Sequence, residues 1–412
     1  MRNTPNPNAP PAARHSSSGI SPAFLVFALI AGHTMASMAV LVLPAVAPAV
    51  ARDYGFDASL IGYQISLVSV GMVASFTLFG NVSRKLGPCR TNQIGHGMVG
   101  TGMLIMLLPW APFLIAGSLV VGVGYGVLTP SASYLLMRFT PAARRNFVFS
   151  LHQVGIPLGG MLAALISPAV AVIAGWRWSV ALSAGLLYGV IVLMQRSRRQ
   201  WDDDRDPASP AITPNPLAGV RAIWGHRSLR LVAVAGSGFS WAQFCTAAFA
   251  VVACVETLGM SLVVAGTVLT VVQVSSALGR IGVGWLVDRM HNAARVLAWT
   301  AAVMLLACMT ALTMSPALPL PAVYLLFAVL GGVSGCWPGA VLAEVGRLAP
   351  QGQVSLAISG SLVITSVGRF IGPILFANIY AFTRSYGMAF ASIAIPSVVA
   401  LCCLIAAQRQ EA

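Results

Sequence analysis

The chain has 412 residues, 57% of them hydrophobic and only 8% charged, with a formal charge of +14. A water-soluble globule carries about a quarter charged residues, so a soluble domain is excluded. The apolar runs are each long enough to cross a bilayer as a helix and lack the short alternating spans of a β-barrel, and the excess of arginine reads as positive-inside bias rather than a nucleic-acid surface.

Residues 1–19 are rich in Pro, Asn, Ala and Ser and are expected to form a disordered tail. They do not read as a signal peptide, because the apolar run that follows is too long and shows no cleavage pattern. Span 1 is expected over about Ala23–Val50, kinked in its outer part by Pro44 and Pro48. Span 2, about Ser59–Phe79, ends at a charged turn, Gly80-Asn-Val-Ser83-Arg84-Lys85-Leu-Gly87-Pro-Cys-Arg90. Span 3 follows at about Asn92–Leu108, span 4 at about Phe113–Met137, span 5 at about Phe147–Ile173, and span 6 ends near Met194.

The only long polar stretch comes next, from Gln195 to about Arg227. Arginines, four aspartates and a Pro-rich segment mark it as a flexible, solvated linker rather than an acidic catalytic cluster. Spans 7 to 12 are expected at about Leu229–Val255, Leu262–Val283, Val296–Met314, Ala322–Val345, Val354–Tyr380 and Tyr386–Ala407. Between spans 8 and 9 lies a second charged turn, Gly284-Trp-Leu-Val-Asp288-Arg289-Met-His291-Asn-Ala-Ala-Arg295, half a chain away from the first. The expectation is an all-α membrane protein of about twelve transmembrane helices in two pseudo-symmetric six-helix bundles, residues 20–195 and 228–408, joined by a linker at 196–227.

Arginine placement orients the chain. Arg84, Lys85, Arg90, Arg138, Arg144, Arg145, Arg196, Arg198, Arg199, Arg227, Arg289, Arg295 and Arg347 fall on the linker side, against Arg52, Arg177 and Arg384 opposite. The linker side and both termini are therefore expected in the cytoplasm, with the chain in a bacterial inner membrane. The seven cysteines, Cys89, Cys245, Cys254, Cys308, Cys336, Cys402 and Cys403, are odd in number and form no CxxC pair. They read as small buried hydrophobes, not as a metal site or disulfide framework.

Two six-helix halves, a central linker and a charged turn after the second helix of each half resemble the major facilitator superfamily of secondary transporters. The family's turn pattern is close to Gly-x-Leu-x-Asp-Arg-x-Gly-Arg. Gly284, Leu286, Asp288, Arg289 and Arg295 match it, with His291 in place of the second glycine. In the first copy Gly80, Arg84, Gly87 and Arg90 match, and Ser83 replaces the aspartate. The resemblance implies that both turns gate the linker side. By pseudo-symmetry Asp288 is expected to approach the start of span 5 near Asn146, where a helix N-terminus favours a carboxylate; an ordinary solvated charge is the other reading. Span 5 carries Gly155-Ile-Pro157-Leu-Gly159-Gly160, only a partial match to the family's antiporter signature, and Gly117-Ser-Leu-Val120 stands where antiporters have an arginine. With Gly175-Trp-Arg, the form is more similar to bacterial porters of small anions, including the cyanate-porter-like group.

Alternating access needs a polar site between the halves near the bilayer midplane, and polar groups inside spans are costly enough to be functional candidates by default. Arg369, deep in span 11, is the first of these. It calls for a substrate anion, a structural partner such as Glu344 or bound water, or a path by which it snorkels to water. His33, mid-span 1 with Ser37 one turn on, either carries a proton or is a neutral histidine bonded between helices. His96, His152 and Gln153 are weaker candidates. Gln64, Tyr125, Trp241, Gln243, Gln273 and Trp337 could complete a substrate site, as could Tyr63 and Tyr134, although each alone could be packing. Gly335, Pro338 and Gly339 are expected to loosen span 10 beside Trp337. No Walker lysine is present and no nucleotide or metal cofactor is expected.

The expected function is secondary transport of a small, anionic organic solute, coupled to protons. Proton-driven drug efflux is the alternative within the class, and a non-transporting sensor on the same fold stays open. A membrane enzyme would need clustered acids and histidines, and here they are dispersed. The expected partners are the solute, protons and the lipid bilayer, with the chain a monomer.

Overall fold

The computed structural model describes residues 21–141, 144–213, 215, 217–350 and 353–410, so the tail expected at 1–19 lies outside the described residues. Span 1 is the helix Pro22–Tyr54, capped by the Ser21 hydroxyl and closed by Gly55 in the left-handed region at φ 69°. Pro44 and Pro48 each remove a helical N–H, and Val46 between them leaves helical geometry (φ −120°, ψ 15°), which is the expected kink. Spans 2, 3, 4 and 6 are Ile61–Leu78, Pro88–Ile105, Ala111–Phe139 and Trp176–Gln195. Span 5 is two helices, Arg145–Gln153 and Gly155–Ala174.

In the second half, spans 7, 8, 9 and 11 are Arg227–Glu256, Leu262–Met290, Ala293–Thr310 and Val354–Thr383. Span 10 breaks at Cys336 into Leu320–Gly335 and Trp337–Leu348, beside the glycines and proline expected to loosen it. Span 12 is Tyr386–Ala391 and Ala394–Gln408.

Eleven of these helices are long and apolar enough to cross a membrane. Span 3 is the twelfth, and it is the polar one. Thr91, Asn92, Gln93 and His96 on it are all buried. Asn92 donates to Ser131 of span 4 (2.7 Å) and Gln93 to Gln195 of span 6 (2.8 Å). Its polarity is spent on protein neighbours rather than on lipid, where unsatisfied groups cost several kcal/mol.

The halves meet through span 2 against span 11, span 5 against span 8, and span 1 against span 7. Gly62 abuts the Pro373 carbonyl so closely that no side chain fits between spans 2 and 11. Ser66 donates to the Phe370 carbonyl (2.6 Å), Asn378 to the Tyr63 hydroxyl (2.9 Å), and Arg384 pairs with Asp57 (2.9 Å). These ties lie on the side away from the linker. Burial alone would raise the Asp57 carboxyl, but hydrogen bonds from Ser59 and the Arg384 charge outweigh it and hold the group below the usual carboxylate range.

The linker departs from the flexible connector expected of its composition. It contains the short helices Arg198–Trp201 and Ala218–Trp224, and Trp201 is buried. Asp202 accepts the backbone N–H groups of Cys89 (2.7 Å) and Arg90 (3.0 Å) at the start of span 3. Asp203 and Asp204 pair with Arg138, and Tyr134 donates to Asp204. The Asp206 N–H reaches the Arg84 carbonyl (2.8 Å) and the Thr213 N–H the Leu78 carbonyl (2.9 Å). Composition could not reveal this, because Asp202, Asp203 and Asp204 find partners in the distant first bundle, while the Asp206 carboxylate accepts from Ala208 and Ser209 inside the linker.

The two charged turns differ in backbone conformation as well as in sequence, with ψ 146° at Gly87 and ψ 25° at His291. Gly87 has φ 94° and His291, its equivalent, φ 53°. The histidine thus takes the left-handed helix-ending position that glycine usually fills. At Gly87 a Cβ would strike the Asp202 carboxylate. The first turn lacks its own aspartate at Ser83, and an acid from the linker sits at the helix N-terminus that follows it. Asp288, in the last turn of span 8, has no hydrogen-bond or ion-pair partner among the described residues, and the Asn146 side chain expected near it lies outside them.

Candidate functional site

Three elements of the first half converge on one buried polar cluster. His33 and Ser37 lie one turn apart on span 1 and both reach Tyr125 of span 4. The Tyr125 hydroxyl is 3.0 Å from Ser37 Oγ and 3.3 Å from His33 Nε2. His152, from the short first helix of span 5, meets the His33 ring edge-on with centroids 4.7 Å apart. Its Nε2 has no partner. All four side chains are buried. Alternating glycines 122, 124 and 126 let span 4 lie against the backbones of spans 2 and 3, which sets Tyr125 deep in the bundle. His96 is set apart: its Nδ1 is 2.7 Å from the Asn92 carbonyl and its ring packs on Gly32 of span 1. That is a helix-packing arrangement.

From the second half comes Arg369, at the middle of span 11 and 8% exposed. Its guanidinium lies over the Phe244 ring of span 7 (3.9 Å), and its Nε has no hydrogen-bond partner. The structural pair with Glu344 considered from sequence does not form. Glu344 is held by Arg347 through two contacts of 2.8 and 3.0 Å. Glu256 instead accepts from Tyr386 (2.9 Å) and Tyr380 (3.2 Å). Among the described residues no acidic side chain lies mid-span. Trp241, one turn before Phe244, packs on Gly372 and leaves its indole N–H unpartnered.

Arg280 of span 8 went unnoticed in the sequence. Its Nε donates to the Gly335 carbonyl (3.0 Å), next to the break in span 10. Its terminal nitrogens have no partner among the described residues. The signal was present, since the tripeptide Gly279-Arg280-Ile281 mirrors Gly368-Arg369-Phe370. Its closeness to the charged turn at 284–295 disguised it as a membrane-edge charge.

Of the other predicted residues, Trp337 donates to Gln243 (2.9 Å), joining spans 10 and 7. Gln273 of span 8 packs on Gly160 of span 5, across the halves. Gln64 is buried with its carbonyl unpartnered. Tyr63 and Tyr134 lie away from this region, the first at the contact with Asn378 and the second half-exposed against the linker. Among the gate residues, Arg90 bonds Gln93 (3.3 Å) and Arg289 covers Trp285. Among the described residues no cluster of three metal-ligating side chains occurs.

Two six-helix bundles that hold buried arginine, histidine and tyrosine side chains match a known membrane-protein family by sequence comparison. The profile of the Major Facilitator Superfamily matches residues 24–373 and 247–411, so the chain belongs to that family. A gallate transporter of Pseudomonas putida is 25% identical over 63% of this chain and 64% of its own length. The 4-hydroxybenzoate transporter PcaK of Acinetobacter baylyi is 25% identical over 36% of this chain and 33% of its own. The chain thus matches less than two thirds of the length of these relatives. Among solved structures, a bacterial homologue of the lysosomal transporter Spinster, inward-facing and unoccupied, superposes with a TM-score of 0.77 at 14% identity, covering 95% of this chain and 98% of that one. The nucleoside transporter NupG gives 0.76 at 14% identity, covering 93% and 99%.

Proposed function

We propose that this protein moves a small organic anion across the bacterial inner membrane by alternating access, in symport with protons. The observation that carries the reading is Arg369, a permanent charge buried mid-span with no acid at its depth among the described residues. An uncompensated buried cation costs several kcal/mol, and a substrate carboxylate removes that cost. Relatives named for gallate and 4-hydroxybenzoate carry substrates of the same chemistry. Phe244 covers the guanidinium; in this reading Trp241, Gln243, Trp337, Gln64, Gln273 and Tyr125 complete the substrate site, and His33, which meets the Tyr125 hydroxyl, carries the proton.

With the halves tied at Asp57–Arg384 and Ser66–Phe370, the site faces the linker side, which the arginine bias assigns to the cytoplasm. The turns containing Gly80, Arg84, Gly87, Arg90, Gly284, Asp288, Arg289 and Arg295 close that side in the other half of the cycle, Asp288 then meeting the start of span 5. The working unit is the monomer.

The test is carboxylate uptake into right-side-out and inside-out vesicles with and without an imposed pH gradient. Uptake should follow the proton gradient, vanish in Arg369→Gln, and lose its gradient dependence but not exchange in His33→Asn. Transport of neutral or cationic dyes that ignores Arg369→Gln would replace this reading with drug efflux. A solute that binds and never crosses would make the protein a sensor.

A further inference from the structure

At the linker end of the first bundle a groove of about 550 Å³ opens between the start of span 1 and the end of span 6. Ser21 and Phe24 line it from span 1, and Gly189, Val192, Arg196 and Ser197 from span 6 and the turn after it. We propose that this groove holds an anionic phospholipid of the linker-side leaflet, with its phosphate at Arg196 and one acyl chain along Val192 and Gly189. It shares no residue with the transport site proposed above. Its size falls within the roughly 300–1,000 Å³ of ligand clefts.

Both walls run from polar to apolar on the way into the membrane, as a phospholipid does. On span 1 the order is Ser21 then Phe24, and on the other wall Ser197 and Arg196, then Val192, then Gly189. In the apolar part Phe24 is backed by the buried Trp201 ring, with centroids 6.1 Å apart, and Val192 is 72% exposed. A Cβ on Gly189 would meet nothing, nor would one on Gly185 a turn deeper, so a chain lying along span 6 finds open space there.

The polar part is a set of donors. Ser197 is 1% exposed and its Oγ has no hydrogen-bond partner. Ser21 accepts the Ala23 N–H (3.2 Å) and keeps its own O–H to donate. It caps the 33-residue helix of span 1, whose dipole favours negative charge at that end. Arg196 is exposed and has no ion-pair partner among the described residues. The linker acids that follow it are held elsewhere, Asp202 by the Cys89 and Arg90 N–H groups and Asp203 and Asp204 by Arg138. A guanidinium and two hydroxyls with no carboxylate in the wall suit a phosphate, and basic pockets between membrane helices take anionic headgroups. A zwitterionic lipid brings its own cation to the phosphate and gains less from Arg196.

The test is native mass spectrometry of the purified full chain in detergent, titrated with phosphatidylglycerol or with phosphatidylcholine of the same chains. Wild type should retain phosphatidylglycerol about fivefold better, the effect of one arginine at an anionic surface. Arg196→Gln should abolish that preference and Arg196→Lys keep it, while Arg409→Gln, at an exposed arginine after span 12, should leave it unchanged. Gly189→Leu should lower retention of both lipids without lowering Tm, because the added side chain fills the groove and leucine is the better helix former. Equal retention of the two lipids by wild type, or equal losses in Arg196→Gln and Arg409→Gln, overturns the proposal. Glycerol 3-phosphate displacing phosphatidylglycerol at equal concentration would make this a site for free phosphate esters, and a dimer lost in Gly189→Leu would make it a seam between two copies of the chain; either result overturns the lipid assignment.

Discussion

Arg369→Gln separates a residue kept for substrate from one kept for structure. In the empty protein its visible support is slight, a stack on Phe244 at 3.9 Å and an Nε without a partner. A desolvated cation–π contact contributes about 2 kcal/mol, whereas removing an ion from water costs several kcal/mol even after relaxation. The second quantity is larger, so the unliganded protein gains by losing the charge. Arg369→Gln should unfold at the same temperature as wild type or a few degrees higher. Binding should move the other way. Breaking a buried charge pair costs about 2–5 kcal/mol, which at about 1.4 kcal/mol per tenfold is roughly a 30- to 4,000-fold loss of carboxylate affinity. The assay is thermal unfolding in detergent beside equilibrium binding of 4-hydroxybenzoate. A fall of several degrees in Tm with unchanged binding would refute the reasoning and make Arg369 a structural strut.

Three further outcomes follow from the interfaces. Asp202→Asn removes the charge that accepts two N–H groups at the start of span 3, and a lost cap costs about 1 kcal/mol; Tm should fall slightly and trypsin should cut at Arg205 faster than in wild type. Gly62→Val has no room against the Pro373 carbonyl, so it should hold the side away from the linker open, read as increased alkylation of a cysteine placed at Tyr63. The Asp57–Arg384 tie should weaken with acid. Because the Asp57 carboxyl is held below its usual range, the tie is complete above the ordinary carboxylate pKa and is lost as pH falls through the lowered one. The same cysteine should become more reactive at low pH in wild type and show no such pH dependence in Asp57→Asn.

Composition and hydropathy alone determined that this is a membrane protein of two six-helix halves, because burying a run of apolar residues in lipid is a local property that each segment settles by itself. The kink at Pro44 and Pro48 and the broken span 10 were legible for the same reason, since proline acts on its own helix. So was Arg369, whose cost at mid-membrane depends on depth and not on neighbours. What only the tertiary structure decided concerns partners. Glu344 is spent on Arg347, Asp202 accepts the N–H groups at the start of span 3, and the acidic linker is docked rather than loose. The polar span 3 became a membrane helix only because spans 4 and 6 satisfy it. The tie of Arg280 to the Gly335 carbonyl at the break in span 10 was visible only in the fold. Electrostatic pairing depends on distance in space, and across a two-bundle fold distance in sequence says little about it.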